Sequence, residues 1–268
     1  MAGSPAFGSL TGVGVGPGDP ELLTVRALRV LREVDRVFSP TMAANAAGRA
    51  EAIVRQADPG IAVERLVFAI TGDDDARAAA HSDAAERVVA CLDAGEEVAF
   101  VTLGDPNVYS TFHHLAAAVL ERRPLAQIGT VPGIMAFQEL AARAGTVVLD
   151  GTERLSVVSA VEGARALDAP LCDPEAALVV YKGGRHLPEV AQRLETAGRL
   201  DGAVFGELLG LPGEQVGTVK DRAARPATYL ATVLVPPATR APSGLEDIAG
   251  GNRRSCPPEG GHEETGRS

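Results

Sequence analysis

The chain has no tryptophan, and its aromatics amount to seven Phe and three Tyr in 268 residues. So few aromatics disfavour a surface on which nucleic-acid bases stack. Basic side chains are outnumbered, 25 against 35 acidic, which leaves a formal charge of −10. A phosphate backbone needs a basic face, so this balance argues against a nucleic-acid partner while leaving room for a small basic pocket. Lysine is nearly missing: Lys182 and Lys220 are the two in the chain. Cysteine is scarce as well. Cys91, Cys172 and Cys256 are far apart and make no Cys-x-x-Cys pair, which suits reduced thiols and a cytoplasmic location. No apolar run approaches the roughly 18 residues of a membrane span. Met1–Leu10 lacks the positive charge and long apolar core of a signal peptide. The histidines (His81, His113, His114, His186, His262) show no metal-ligand spacing with Cys or acidic residues. His113 and His114, about 100° apart on a helix, are not expected to share a face. No Gly-x-Ser-x-Gly elbow is present.

What is present is a core-forming chain, 46% hydrophobic, enough for one large or two small domains. Apolar runs at Leu10–Val15, Val37–Phe38 (cut off by Pro40), Ile61–Phe68, Glu97–Leu103 and Leu125–Val131 read as strands. Helical spacing separates them: a helix entered at Asp19-Pro20-Glu21, then Arg49–Ala57, Ala76–Ala94 closed by Gly95, and Asn107–Arg122. This alternation predicts parallel strands with crossover helices. After a helix over Ile134–Ala144 the pattern changes. Leu155–Val161, Ala177–Tyr181, Ala203–Glu207, Gln215–Val219 and Thr228–Val235 predict a second α/β unit with a partly antiparallel sheet. The division falls in the segment 123–131. From Pro236 onward, Pro, Gly and mixed charge predict a disordered tail, and residues 1–9 a flexible start.

Four segments could carry chemistry. Gly12-Val13-Gly14-Val15-Gly16-Pro17-Gly18-Asp19-Pro20 joins a strand to a helix, where glycines let another group approach the backbone. Its spacing is wrong for a dinucleotide fingerprint, since the sixth position is Pro17 or Asp19, and no P-loop Lys follows. A plain strand-turn-helix corner also fits. Leu103-Gly104-Asp105-Pro106, followed by Tyr109-Ser110-Thr111-Phe112, lies at the carboxyl end of an apolar strand, where open α/β sheets bind ligands. There Asp105 can accept from a ligand, cap a helix with Pro106 at its first position, or do both. Val131-Pro132-Gly133-Ile134-Met135-Ala136 is a helix entry. Tyr181-Lys182-Gly183-Gly184-Arg185 again ends an apolar strand, with Lys182 either a ligand contact or a solvated surface group.

Taken together and in this order, these segments resemble the tetrapyrrole methylase family of S-adenosylmethionine (SAM)-dependent methyltransferases, over about residues 10–235. The Gly14–Thr24 stretch, the Gly-Asp-Pro turn and the Pro-Gly-Ile loop carry the likeness. Within the family, Tyr109–Phe112, Tyr181–Leu187 and Gly210–Glu214 are similar to the branch that methylates C20 of precorrin-2 to give precorrin-3A in cobalamin biosynthesis. The resemblance implies an α/β fold of two domains, residues 10–128 with a mostly parallel sheet and 129–235 with a mixed one, and SAM in the cleft between them. It implies cofactor contacts at Pro17, Leu103, Gly104, Asp105, Val108, Met135, Ala136, Lys182, Glu207, Leu208, Leu209, Ala227 and Thr228, and substrate contacts at Tyr109, Lys182 and Arg185. It also implies a tetrapyrrole partner, no resident metal, no nucleic acid or membrane partner, and a homodimer. Methyl transfer from a sulfonium expels a neutral thioether and needs no general acid, which accords with a sequence that shows no catalytic dyad. Two other readings remain. One is a sibling acting on uroporphyrinogen III, a later precorrin or a cobalt-containing precursor. The other, of a different class, is a SAM- or tetrapyrrole-binding regulator.

Overall fold

Parallel neighbours need a crossover, so strands alternating with amphipathic helices build a parallel sheet. In the computed structural model, which describes residues 8–43, 45–68 and 74–239 (side chains of 74–78 excepted), the first half does this. β1 (Ser9–Gly14), β2 (Arg36–Thr41), β3 (Val63–Val67), β4 (Val98–Thr102) and β5 (Gln127–Val131) lie in the order β3-β2-β4-β1-β5, all parallel. The crossovers are α1 (Val25–Glu33), α2 (Arg49–Ala57), α3 (Asp74–Asp93) and α4 (Phe112–Arg122). Leu10, Phe38, Leu66, Val98 and Phe100 face Val88, Leu92, Leu115 and Val119 of α3 and α4. Val13, Val37, Ala99 and Val101 face Ala27, Leu31, Ile53 and Val54 of α1 and α2. Burial on both faces is why β4 is apolar up to its last residue, Thr102.

The second half holds α5 (Ala136–Ala144), β6 (Arg154–Ser159), α6 (Asp168–Leu171), β7 (Ala176–Tyr181), α7 (Leu187–Thr196), β8 (Val204–Glu207), β9 (Gln215–Thr218), α8 (Val219–Arg222) and β10 (Ala231–Val235). Its sheet runs β6-β7-β10-β8-β9, with β6 and β7 parallel and the other pairs antiparallel, as the change of pattern predicted. α7 covers one face through Leu187, Val190 and Leu194 against Leu178, Val180 and Phe205. α5 covers the other, Leu140 meeting Val179 and Leu234. Among the described residues no helix is long and apolar enough to cross a membrane.

Several local expectations are corrected. Asp19-Pro20-Glu21 starts a 3-10 turn (Pro20–Leu22), not the α-helix. Leu23 returns to extended backbone, and α1 begins at Val25 under its own cap, Thr24, whose hydroxyl accepts from the Ala27 N–H at 3.1 Å. Pro40 does not end β2: the strand pairs with β4 only at Arg36–Phe38, so beyond Phe38 it has β3 alone, and Pro40 sits on that half-free stretch opposite Leu66. The helix expected from Asn107 begins at Phe112. β5 keeps pairing with β1 to Val131, so it straddles the 128/129 division. The expected tail is still tied down at its start, where Arg199 donates to the Pro236 carbonyl at 2.7 Å and the Ala238 N–H to the Pro174 carbonyl at 2.8 Å. Its remainder (240–268), with Cys256 and His262, and the first seven residues lie outside the described residues.

Candidate functional site

The carboxyl ends of β1, β4 and β5 stop side by side, and the chain leaves each through glycine. A Cβ on Gly14 would fall 2.4 Å from the Gly104 carbonyl oxygen, and one on Gly133 would fall 2.0 Å from the same atom. No side chain fits among these three backbones. The Gly104 N–H donates to the Gly16 carbonyl at 2.8 Å and the Val15 N–H to that of Thr102 at 2.9 Å, so the first loop is stitched onto the second. Gly16 and Gly104 both hold left-handed backbone, with φ of +81° and +65°. Gly12, one turn of pleat earlier, serves packing instead: its missing Cβ leaves room for the Phe112 ring, 2.6 Å from where that atom would stand.

Asp105 divides its carboxylate between two loops. One oxygen accepts from the Asn107 N–H at 2.8 Å, the other from the Gly133 N–H at 3.1 Å. This cross-loop bond replaces the helix cap. The chain stays irregular to Thr111, and Tyr109 is forced to a φ of +48°. Ser110 is buried, donates to the Thr102 hydroxyl at 3.0 Å and accepts from the Phe112 N–H at 3.1 Å, which anchors the far end of the loop.

The second sheet's loops close on this floor. Lys182, with φ of +59°, donates from Nζ to the Tyr109 carbonyl at 3.1 Å and lies 5.7 and 5.8 Å from the Tyr109 and Tyr229 ring centroids. The Tyr109 hydroxyl reaches back to the Val157 carbonyl of β6 at 3.1 Å. The Tyr181 hydroxyl accepts from the Phe137 N–H at 3.2 Å, and burial pushes its phenol up to about 12, so it stays protonated. Gly184 is pressed against Ala227–Thr228, where a Cβ would meet the Thr228 carbonyl at 1.8 Å. Gly18 is equally close to the Leu209 carbonyl, at 1.9 Å, and Gly210 to the Asp19 N atom, at 2.3 Å. Leu208, between these contacts, is the third non-glycine residue with positive φ, +55°.

Every non-glycine left-handed residue among those described thus lies on this ring of loops. Such backbone costs about 1–3 kcal/mol per residue and persists where the surroundings over-determine it, a pattern that clusters at ligand sites.

Of the residues expected at a cofactor, Leu103, Gly104, Asp105, Val108, Met135, Ala136, Lys182, Leu208 and Ala227 are half-buried and Thr228 is exposed. Pro17 and Leu209 are buried in the contacts between loops. Glu207 is also brought to the site, but its carboxylate is taken: Oε1 accepts from the Thr228 N–H at 2.6 Å and Oε2 from Arg222 at 3.1 Å. Burial alone would raise that carboxyl; the Thr228 and Arg222 donors outweigh it and hold it below the usual glutamate range. Arg185 is exposed at the rim and donates to the Val161 carbonyl. Sequence reasoning did not single out Tyr181, Ser110 and Tyr229, whose contacts with Phe137, Thr102 and the Lys182 ammonium join separate elements. It also misjudged His113 and His114, whose ring centroids are 3.7 Å apart. Among the described residues no group of three or more His, Cys, Asp and Glu is placed to hold a metal ion.

The chain matches the family described as Tetrapyrrole (Corrin/Porphyrin) Methylases over residues 9–223. It is 34% identical over 238 residues to a Precorrin-2 C(20)-methyltransferase of Sinorhizobium sp, covering 85% of this chain and 95% of that one. It is 31% identical over 234 residues to a Cobalt-precorrin-2 C(20)-methyltransferase of Salmonella typhimurium, 85% and 96% of the two chains. The Cobalamin biosynthesis protein CobIJ of Mycobacterium tuberculosis is 36% identical over 242 residues; that stretch is 86% of this chain and 46% of CobIJ. In fold, the chain superposes on the crystal structure of the methyltransferase CobJ with a TM-score of 0.63 at 22% identity, over 89% of this chain and 98% of that one.

Proposed function

Because this chain belongs to the tetrapyrrole methylase family, we propose that it transfers a methyl group from SAM to C20 of precorrin-2, giving precorrin-3A. The observation that supports the reading is the close backbone packing of the glycine-rich loops on one another, which excludes any side chain larger than glycine at Gly14, Gly133, Gly18 and Gly184. A cleft with a bare backbone floor and half-buried apolar walls (Leu103, Val108, Met135) fits a nucleoside with a short amino-acid arm. Bound there, SAM supplies a methyl group on a sulfonium.

The remaining work falls to this chain's residues. The nucleophile is the electron-rich C20 meso carbon: the C20–methyl bond forms as the methyl–sulfur bond breaks to a neutral thioether, and the C20 proton is then lost to solvent, so alignment and exclusion of water dominate. Asp105 and Gly133 fix the floor. Lys182 and Tyr109 clamp the two sheets together over it, and Lys182 and Arg185 supply positive charge for the substrate's carboxylates. The names of the Sinorhizobium and Salmonella relatives support position C20. The metal-free substrate is preferred because the relative named for it matches at 34% over 85% of this chain, whereas relatives named for the cobalt form match at 31% over 85% or at 34% over only 55%. The same reading takes the protein to work in the cytoplasm as a homodimer of chains with two domains, residues 10–128 and 129–235.

Incubation with methyl-labelled SAM and either precorrin-2 or cobalt-precorrin-2 tests it. The expected product of the metal-free reaction is heavier by one methyl group. Tight SAM binding without transfer to either substrate would point instead to a binding regulator.

A further inference from the structure

A protein of net charge −10 that takes a polycarboxylate substrate must concentrate its positive charge locally. One place does so beyond the residues already named. The left-handed turn at Tyr109 aims two successive carbonyls at two basic side chains. The Tyr109 carbonyl receives Lys182 Nζ at 3.1 Å, and the Ser110 carbonyl receives His113 Nδ1 at 2.7 Å. A carbonyl only accepts, so Nδ1 carries the proton and Nε2 of the neutral ring is bare. His113 and His114 are both exposed, with rings 3.7 Å apart. His81 from α3 stands 5.9 Å from His114 and edge-on to Phe68 at 5.0 Å. The groups that act electrostatically on His114 are His113 on its own helix, His81 from α3 and Lys182 from the loop after β7, all basic. Partial desolvation of the ring by the side chains packed beside it comes first, and these basic neighbours add to it, so its imidazole lies below the usual histidine value although the residue is largely exposed. The positive end of the α4 dipole lies in the same turn.

We propose that His113 and His114, beside Lys182 at the cleft mouth, form an anion subsite that takes an acetate or propionate carboxylate from the rim of the tetrapyrrole, with His113 Nε2 as its principal donor. This rests on the proposed tetrapyrrole substrate and deepens it. A carboxylate arriving there favours the protonated imidazoles. The Nδ1 bond to Ser110 leaves His113 Nε2 turned away from the backbone and open to the carboxylate.

The full chain and its His113→Gln/His114→Gln double variant are titrated with uroporphyrin III, a fluorescent polycarboxylate porphyrin, at pH 6.5 and 8. SAM binding by the variant serves as the check on folding. The variant is expected to bind uroporphyrin about tenfold more weakly at the lower pH, with a smaller gap at the higher one. Equal affinities and equal pH dependence, or no uroporphyrin binding by the wild type, would overturn the subsite. Precorrin-2 turnover is followed in parallel. Wild-type chain that binds uroporphyrin through its histidines yet never methylates precorrin-2 would sink the proposed function and leave the subsite standing. The converse pattern would sink the subsite alone.

Discussion

Lys182 reaches across the cleft to the carbonyl of Tyr109 at 3.1 Å, and both ends of that bond sit on left-handed backbone, at φ of +59° and +48°. The bond ties a loop of the second sheet to one of the first at the place where both are strained. Lys182→Met removes the bond and the charge, and is expected to lower kcat/KM for precorrin-2 by at least about tenfold while costing under about 1 kcal/mol of stability, since the ammonium is half-exposed. Lys182→Gly loses the same contacts but relieves the backbone. It should therefore be more stable than Lys182→Met by about 1 kcal/mol in denaturant unfolding. A less stable glycine variant would contradict the strain.

Gly133→Ala tests the floor. The new methyl would lie 2.0 Å from the Gly104 carbonyl oxygen and 2.8 Å from the Gly14 Cα, both backbone atoms of paired or bridged segments. Neither can swing away as a flexible side chain would. A loss of about 1–3 kcal/mol and of measurable SAM binding is expected, read by thermal unfolding and by titration calorimetry.

Asp105→Asn keeps the shape of the side chain but offers a donor to one of two N–H groups. Whichever way the amide turns, either the Asn107 or the Gly133 N–H faces an NH2 group. The expected cost is about 1–3 kcal/mol, with SAM affinity falling more than precorrin-2 affinity because the Gly133 loop borders the proposed cofactor floor. Parallel titrations of the two ligands separate these effects.

Glu207→Gln gives a pH signature. The folded-state carboxyl lies below its unfolded value, so the wild-type charge contributes stability at neutral pH that is lost as pH falls from the ordinary glutamate range through the folded value. The variant is expected to be less stable by about 1–3 kcal/mol at pH 7 and to show a flatter acid limb in unfolding experiments as pH falls below the ordinary glutamate range. Identical acid limbs would show that Thr228 and Arg222 do not stabilise the charged form.

The sheets were legible because periodicity is local. Val98–Thr102, buried on both faces, and Ala136–Ala144, closed by Gly145 at φ +62°, announce themselves in a few residues. What was hidden is non-local. Gly12 and Gly14 look alike in a strand, yet one makes room for Phe112 and the other for Gly104 and Gly133. Asp105-Pro106 reads as a helix start, and it fails to be one because the carboxylate is drawn 28 residues along the chain to Gly133. His113 and His114 look like separate surface residues by helical angle alone. Ser110, by holding His113, and His81, arriving from α3, make them a cluster. The loop segments were found because glycine and proline mark them. The bonds joining those loops, such as Tyr181 to Phe137 and Glu207 to Thr228, cross between elements and leave no trace in spacing.

The claim on which the rest depends is that this cleft methylates C20. Its most direct test is NMR of the product formed from precorrin-2 and SAM carrying a carbon-13 methyl group. The account predicts a single enriched methyl signal coupled to the C20 meso position. Enrichment at any other carbon, or an unlabelled tetrapyrrole recovered beside intact SAM, would contradict it.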